Sequence, residues 1–262
     1  MPSEQSHHQA YFRLKNEVAI VTGAASGIGR GIALRFAKEG ASVALVDTNE
    51  EGAKHVADEI RKQGGEALAL QTDIRNPEEV AKTIEAVIAA WKRVTILVNN
   101  AGIERATPLL TPDISQAWKE VAETNFHGTF HMTEGVVKTM VQYGWKGTII
   151  TMTSVQSEIP VSKGACYPAT KAALKAATKS WALELAPYGI RVNAIAPGAI
   201  RNTGLNHDVN TENDVQKAKE WNIPLERCGT PEDIADAAVF LATNSYMTGQ
   251  EIVVDGGLSL TH

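Results

Sequence analysis

The 262-residue sequence predicts an α/β fold, a single doubly wound domain whose seven-stranded parallel sheet carries helices on both faces. Three observations predict it. Short, β-branched apolar runs alternate with amphipathic stretches, as in successive strand–helix–strand units. Several of those stretches begin with Asn or Thr followed by Pro, which marks helix starts. No linker, repeat or low-complexity tract divides the chain, so one sheet must take every strand.

In chain order, the polar stretch "MPSEQSHHQAYFRL" is expected to be a flexible tail over residues 1–14, with the domain spanning 15–262. The strand candidates are "EVAIVT", "SVALVD", "EALALQTD", "VTILVNN", "GTIITMTS", "IRVNAIAP" and "EIVVDG". "NPEEV", "TPDIS" and "TPEDIA" each place an Asn or Thr cap before Pro, with acidic residues in the first turn. Gly40, Gly64, Gly65 and Gly189 fall where helices should stop. The Asn-rich, weakly periodic segment 199–228 is expected to be a lid.

The balance of 25 Lys and Arg against 30 Asp and Glu, a net charge of −5, argues against an electrostatic grip on nucleic acid or anionic membrane. A small molecule is the expected ligand. No run of 18 apolar residues occurs and the first 16 residues lack the apolar core of a secretory signal, so the cytoplasm is the expected compartment. Cys166 and Cys228 are too few for a disulfide framework or a structural zinc site and read as free thiols. His7 and His8 sit in the polar tail, and no metal is expected.

The chemistry begins in "VAIVTGAASGIGRGIALRFA", a buried strand, a turn with Gly23, Gly27 and Gly29, and a helix. Glycines there let the backbone approach a pyrophosphate, and the helix N-terminus offers it unpaired N–H groups. Asp47 ends the second strand 18 residues after Gly29, where a carboxylate can accept from ribose hydroxyls and would repel a 2′-phosphate. Neither Ser26 nor the residues just after Asp47 offer a cation for that phosphate. NAD is therefore expected in preference to NADP.

Further on, Ser154 is followed by Tyr167 and Lys171. A tyrosine, with an ordinary pKa of ~10, needs a nearby cation to exchange a proton at neutral pH, and i,i+4 spacing on a helix supplies one. Pro168 is compatible if Tyr167 lies in the first helical turn.

The Gly-x-x-x-Gly-x-Gly turn after Thr22, "NNAG" at 99–102, "TNFHGTF", the Ser154/Tyr167/Lys171 set and "APG" at 196–198 together resemble the short-chain dehydrogenase/reductase family, from about Lys15 onward. The resemblance implies a Rossmann-type fold and hydride transfer between a substrate carbon and nicotinamide. It implies Tyr167 as acid/base, Lys171 lowering its pKa and binding the nicotinamide ribose, Ser154 orienting the substrate oxygen, and Asn125 holding a relay water. It further implies cofactor contacts from Ser26, Ile28, Asp73, Ile74, Asn100, Ala101, Gly102, Pro197, Gly198 and Ile200. One departure stands out, since Asn202 occupies the usual lid threonine's place and Thr203 comes one residue later.

Within the family, "NNAGIE", "TSVQSEIP" and "YPATKAALK" are most similar to sugar 1-dehydrogenases of the bacterial glucose 1-dehydrogenase kind. The substrate wall then holds Glu104 and Gln156, along with Ser154 and Tyr167, among other polar groups: Arg105, Glu158, Arg201, Asn202, Asn206 and His207. A sugar or polyol is the expected substrate. A 3-oxoacyl thioester or simple secondary alcohol is the enzymatic alternative, and a catalytically silent NAD-binding protein the remote one. The family also implies a homotetramer.

Overall fold

The computed structural model describes residues 12–159, 162–204, 209–210 and 213–261. Its seven strands are β1 (Val18–Thr22), β2 (Ser42–Asp47), β3 (Ala67–Gln71), β4 (Ile96–Asn99), β5 (Gly147–Met152), β6 (Ile190–Pro197) and β7 (Glu251–Val254). All pair in parallel, in the order β3-β2-β1-β4-β5-β6-β7. The order reverses between β1 and β4, which opens a crevice at the carboxyl ends of those strands. Each of the seven runs read from the sequence is one of these strands.

Eight helices connect them among the described residues: α1 (Gly27–Lys38), α2 (Glu50–Lys62), α3 (Pro77–Trp91), α4 (Ile114–Ala122), α5 (Thr129–Tyr143), α6 (Cys166–Leu185), α7 (Asp214–Glu220) and α8 (Pro231–Thr243). One apolar layer joins the sheet to α1, α2 and α8 through Ile32, Phe36, Val56, Ile60, Ile234 and Val239. The other joins it to α3, α5 and α6 through Ile84, Val87, Met132, Val136, Met140 and Ala182. Because both faces are covered, β1 is buried at every residue and its sequence is apolar without alternation. Each large side chain so buried contributes about 1.5–3 kcal/mol. Among the described residues no helix is long and apolar enough to cross a membrane. Cys166 and Cys228 are free and buried.

Two expected boundaries move. The tail of 1–14 is too long. Leu14 is only 1% exposed, its N–H donates to the Glu39 carbonyl, and Arg13 pairs with Glu39, so the folded chain begins before Lys15. Residues 1–11, with His7 and His8, lie outside the described residues. In "TPDIS" the cap is Asp113 rather than Thr111. The Asp113 carbonyl takes the first helical bond, from Ala117 N, while Thr111 accepts from Ile114 N in a preceding turn. The other two starts are as read: Asn76 caps α3, and Thr230 and Asp233 form a reciprocal capping box on α8. Gly40, Gly64 and Gly189 stop their helices at positive φ.

Candidate active site

The glycine turn follows β1 directly. Gly23 and Gly27 have φ of +64° and +54°, and a β-carbon on Gly29 would lie 2.1 Å from the Gly23 carbonyl oxygen. Only glycine lets α1 start this close to the strand it leaves. The first turn of α1 carries no acidic residue, and the Ser26 side chain does not cap it. Its leading N–H groups are thus offered to an anion.

Thr22, whose part the sequence reading missed, braces this turn. Its hydroxyl accepts from the backbone N–H of Asn100 (2.9 Å) and of Ala101 (3.0 Å). The Asn100 side chain donates to the carbonyls of Thr22 and Gly23. Asn100 therefore shapes the floor through its side chain. The signal was available, since a hydroxyl residue stands immediately before the turn.

Two hollows adjoin there. The first, about 360 Å³, brings together Gly23, Ser26, Gly27, Ile28, Asn100, Ala101, Gly102, Glu104, Ser154, Gln156, Tyr167, Lys171, Pro197, Gly198 and Ile200. Thr203, Ile103, Met152 and Thr153 line it as well, though the sequence reading did not select them. The second shares Gly23, Ala101 and Gly102 and extends to Asp47, Asp73 and Ile74. The Asp47 carboxylate accepts from the N–H groups of Ala25 and Asn49, which holds it at the rim. Asp73 is gripped by Arg75, whose guanidinium lowers its pKa. A glycine cradle that no β-carbon could share, free helix amides and a fixed carboxylate 18 residues on fit a dinucleotide.

At the far wall, Ser154 ends the stretch that leaves β5, and Tyr167 and Lys171 lie in the first two turns of α6. Pro168 sits in the first turn, where its missing N–H leaves no helical bond unmade. Tyr167 is 6% and Lys171 4% exposed, and the ammonium lies 5.4 Å from the phenol ring centroid. Lys171 Nζ donates to the Met152 carbonyl at 2.7 Å. Burial brings its pKa down to about 8. Burial likewise pushes the Tyr167 phenol up, the hydrogen bond with Ser154 draws it back, and the charge of Glu104 raises it further.

Asn125 lies behind the wall in a π-helical turn, Glu123–Gly128, between α4 and α5. The wider turn swings its amide out of the helix. Oδ1 accepts from Ile103 N at 2.8 Å, and Nδ2 donates to Ile103 O at 2.9 Å and to Thr170 at 3.3 Å.

The polar wall is smaller than the sequence suggested. Glu104, Arg105 and Gln156 line the first hollow. Burial raises the Glu104 pKa, and it has no ion-pair partner among the described residues. Glu158 instead pairs with Lys175 and Arg201 with Asp214, while Asn206 and His207 lie outside the described residues. Asn202, at φ +56°, turns the chain and receives no place in the hollow. That turn brings Thr203 against Gly27, so the displaced threonine still reaches the site. Of the expected lid, α7 and the cluster of Val209, Ala218, Ile223 and Cys228 pack as a small apolar knot.

A family model described as "Enoyl-(Acyl carrier protein) reductase" matches residues 23–259. The 3beta-hydroxysteroid dehydrogenase 1 of Eggerthella lenta is 40% identical over 253 residues, covering 95% of this chain and 96% of that one. The 2,5-dichloro-2,5-cyclohexadiene-1,4-diol dehydrogenase LinX of Sphingobium indicum is 38% identical, covering 95% and 98%. A crystal structure of 7 alpha-hydroxysteroid dehydrogenase complexed with NADH and 7-oxo glycochenodeoxycholic acid superposes with a TM-score of 0.87 at 38% identity, covering 94% of this chain and 96% of that one.

Proposed function

Because the chain belongs to the short-chain dehydrogenase/reductase family, we propose that it is an NAD-dependent dehydrogenase that interconverts a ring-borne secondary alcohol and its ketone. The observation that carries this is the meeting of Ser154, Tyr167 and Lys171 in one hollow with the glycine cradle. When bound, NAD supplies the hydride acceptor. Gly23, Gly27, Gly29 and the start of α1 would hold its phosphates, Asp47 its ribose, and Asp73 and Ile74 the adenine end. NADP fits less well. Its phosphate would meet the Asp47 carboxylate, and the nearby Arg75 is taken by Asp73.

The protein's own task is to place the alcohol and move its proton. Tyr167 Oη accepts that proton, and the Ser154 hydroxyl holds the same substrate oxygen. Lys171, charged below about pH 8, sits beside the phenol and favours the anion that takes up this proton. Asn125, through Ile103 and Thr170, keeps the wall in register and lies on the path by which the proton would leave.

The sugar expected from the sequence gives way here, since the relatives are named for hydroxysteroids and a cyclic diol. A polyol survives as a second reading on one observation: Glu104 is half-buried in the wall with no ion-pair partner among the described residues, Arg105 being paired with Glu120, which suits a substrate bearing a second hydroxyl donor. The test is NADH formation across 3β- and 7α-hydroxysteroids, cyclic diols, aldoses and 3-hydroxyacyl thioesters, with Tyr167→Phe as control. Saturable, Tyr167-dependent turnover of a cyclic alcohol supports the proposal. Turnover of acyl thioesters alone would move the chain to the other substrate class, and none with any alcohol would leave a silent NAD-binding protein.

A further inference from the structure

A second set of cations gathers at the opposite end of the sheet, below the amino ends of β4, β5 and β6. The hollow there has a volume of about 910 Å³ and is lined by Arg13, Glu17, Arg93, Lys146, Thr148 and Arg191, among others. Among the described residues Glu17 is its one carboxylate. Arg13 is neutralised by Glu39. The Arg191 guanidinium donates to the carbonyls of Leu241, Ala242 and Met247 and pairs with no carboxylate among the described residues. Among the described residues neither Arg93 nor Lys146 has a hydrogen bond or ion pair. In a chain of net charge −5, three cations facing one carboxylate is a local reversal of sign.

Two further groups make this more than a charged surface. Thr148 is 2% exposed and lies in register between Ile96 of β4 and Arg191 of β6. Its hydroxyl is buried and has no hydrogen-bond partner among the described residues, and the same holds for Arg93 Nε. Buried donors are nearly always satisfied, so two orphans in one cationic wall point to a ligand that accepts from them.

We propose that this hollow binds a multiply charged oxyanion, a phosphate or dicarboxylate group of a small metabolite, through Arg93, Lys146, Arg191 and Thr148. The guanidinium and ammonium groups supply the charge and the hydroxyl a directed donor. β5 carries Thr148 near its start and leads into Ser154 just beyond its end, so the two hollows share a strand. The proposal is independent of the dehydrogenase reading, and its test does not read turnover.

The experiment is thermal melting and calorimetric titration of the whole protein with inorganic phosphate and, separately, succinate, at ionic strength held constant with chloride. NADH is kept saturating, so that the glycine turn is not the phosphate site. Saturable stabilisation by either anion is expected, weakened tenfold or more in Arg93→Gln/Lys146→Gln, with NADH affinity unchanged. Which of the two anions saturates distinguishes phosphate from dicarboxylate. Thr148→Val keeps the shape, and should melt higher without ligand yet bind the anion more weakly. A response no larger than that to chloride, an adventitious ion only, would overturn the proposal. So would equal binding by the wild type and both variants.

Discussion

Tyr167 is held by opposing influences: burial and Glu104 favour the neutral phenol, Ser154 its anion. Substituting Tyr167→Phe removes the group that exchanges the proton and leaves the cradle intact. Turnover should fall by about 10²–10⁴-fold while NADH titration is unchanged. Glu104→Gln tests the balance itself. Removing a negative charge that raises the phenol's pKa must lower it, so the rising limb of the kcat/KM profile for alcohol oxidation, where Tyr167 must lose its proton to act as the base, should move to lower pH. An unmoved limb would show that Glu104 does not act on Tyr167. The motif residues were legible because their chemistry demands fixed spacing. The bonds that support them were not, because Thr22 and Asn125 act on backbone groups of residues far away in the chain, and side-chain types carry no record of that.

Elements were read well where their ends are chemical. Pro at the first position and a capping side chain fixed α3 and α8, whereas in "TPDIS" three residues compete to cap and only the packed structure selects Asp113. The π-helical turn had no signal at all, since it depends on Ile103 returning to meet the Asn125 amide. Asn125→Ala would leave the Ile103 N–H and C=O without that partner, at about 1–3 kcal/mol each. Chemical denaturation should show a loss of about 2–6 kcal/mol for the two groups together, and activity should fall with it. A variant as stable as wild type would remove this account of the turn. The seating of α1 is stricter still. In Gly29→Ala the new methyl overlaps the Gly23 carbonyl, so the helix must withdraw from the strand. NADH affinity should weaken by roughly tenfold or more, and retention of wild-type affinity would mean that the amides do not hold the phosphates.

For the whole molecule, the alternation of apolar runs and helices was enough to place seven strands in one sheet, because a strand buried on both faces must be apolar throughout. Which hollows that sheet would carry was less visible. Arg93 and Lys146 come from the segments leading into β4 and β5, Thr148 from β5 and Arg191 from β6, and nothing in their spacing announces that they converge. The fold also bears a cost at Lys171, whose charge it buries and whose one hydrogen bond among the described residues goes to the Met152 carbonyl. With a folded pKa of about 8 against the ordinary 10.5 of a lysine, the charged form is disfavoured by on the order of 3 kcal/mol. The sign follows from proton counting. Between those two values the unfolded chain keeps a proton that the folded one has released, so stability gained from this residue rises with pH across that window. Below about pH 8 both states are charged and the cost is fully present. Lys171→Met removes it, so the variant should be inactive yet more stable than wild type at pH 7, with the gap closing as the pH approaches 10.5. Denaturant melts of both proteins from pH 7 to 10 measure the gap directly. Parallel curves would mean that Lys171 is not held in a desolvated state, and the account of its pKa would fail with them.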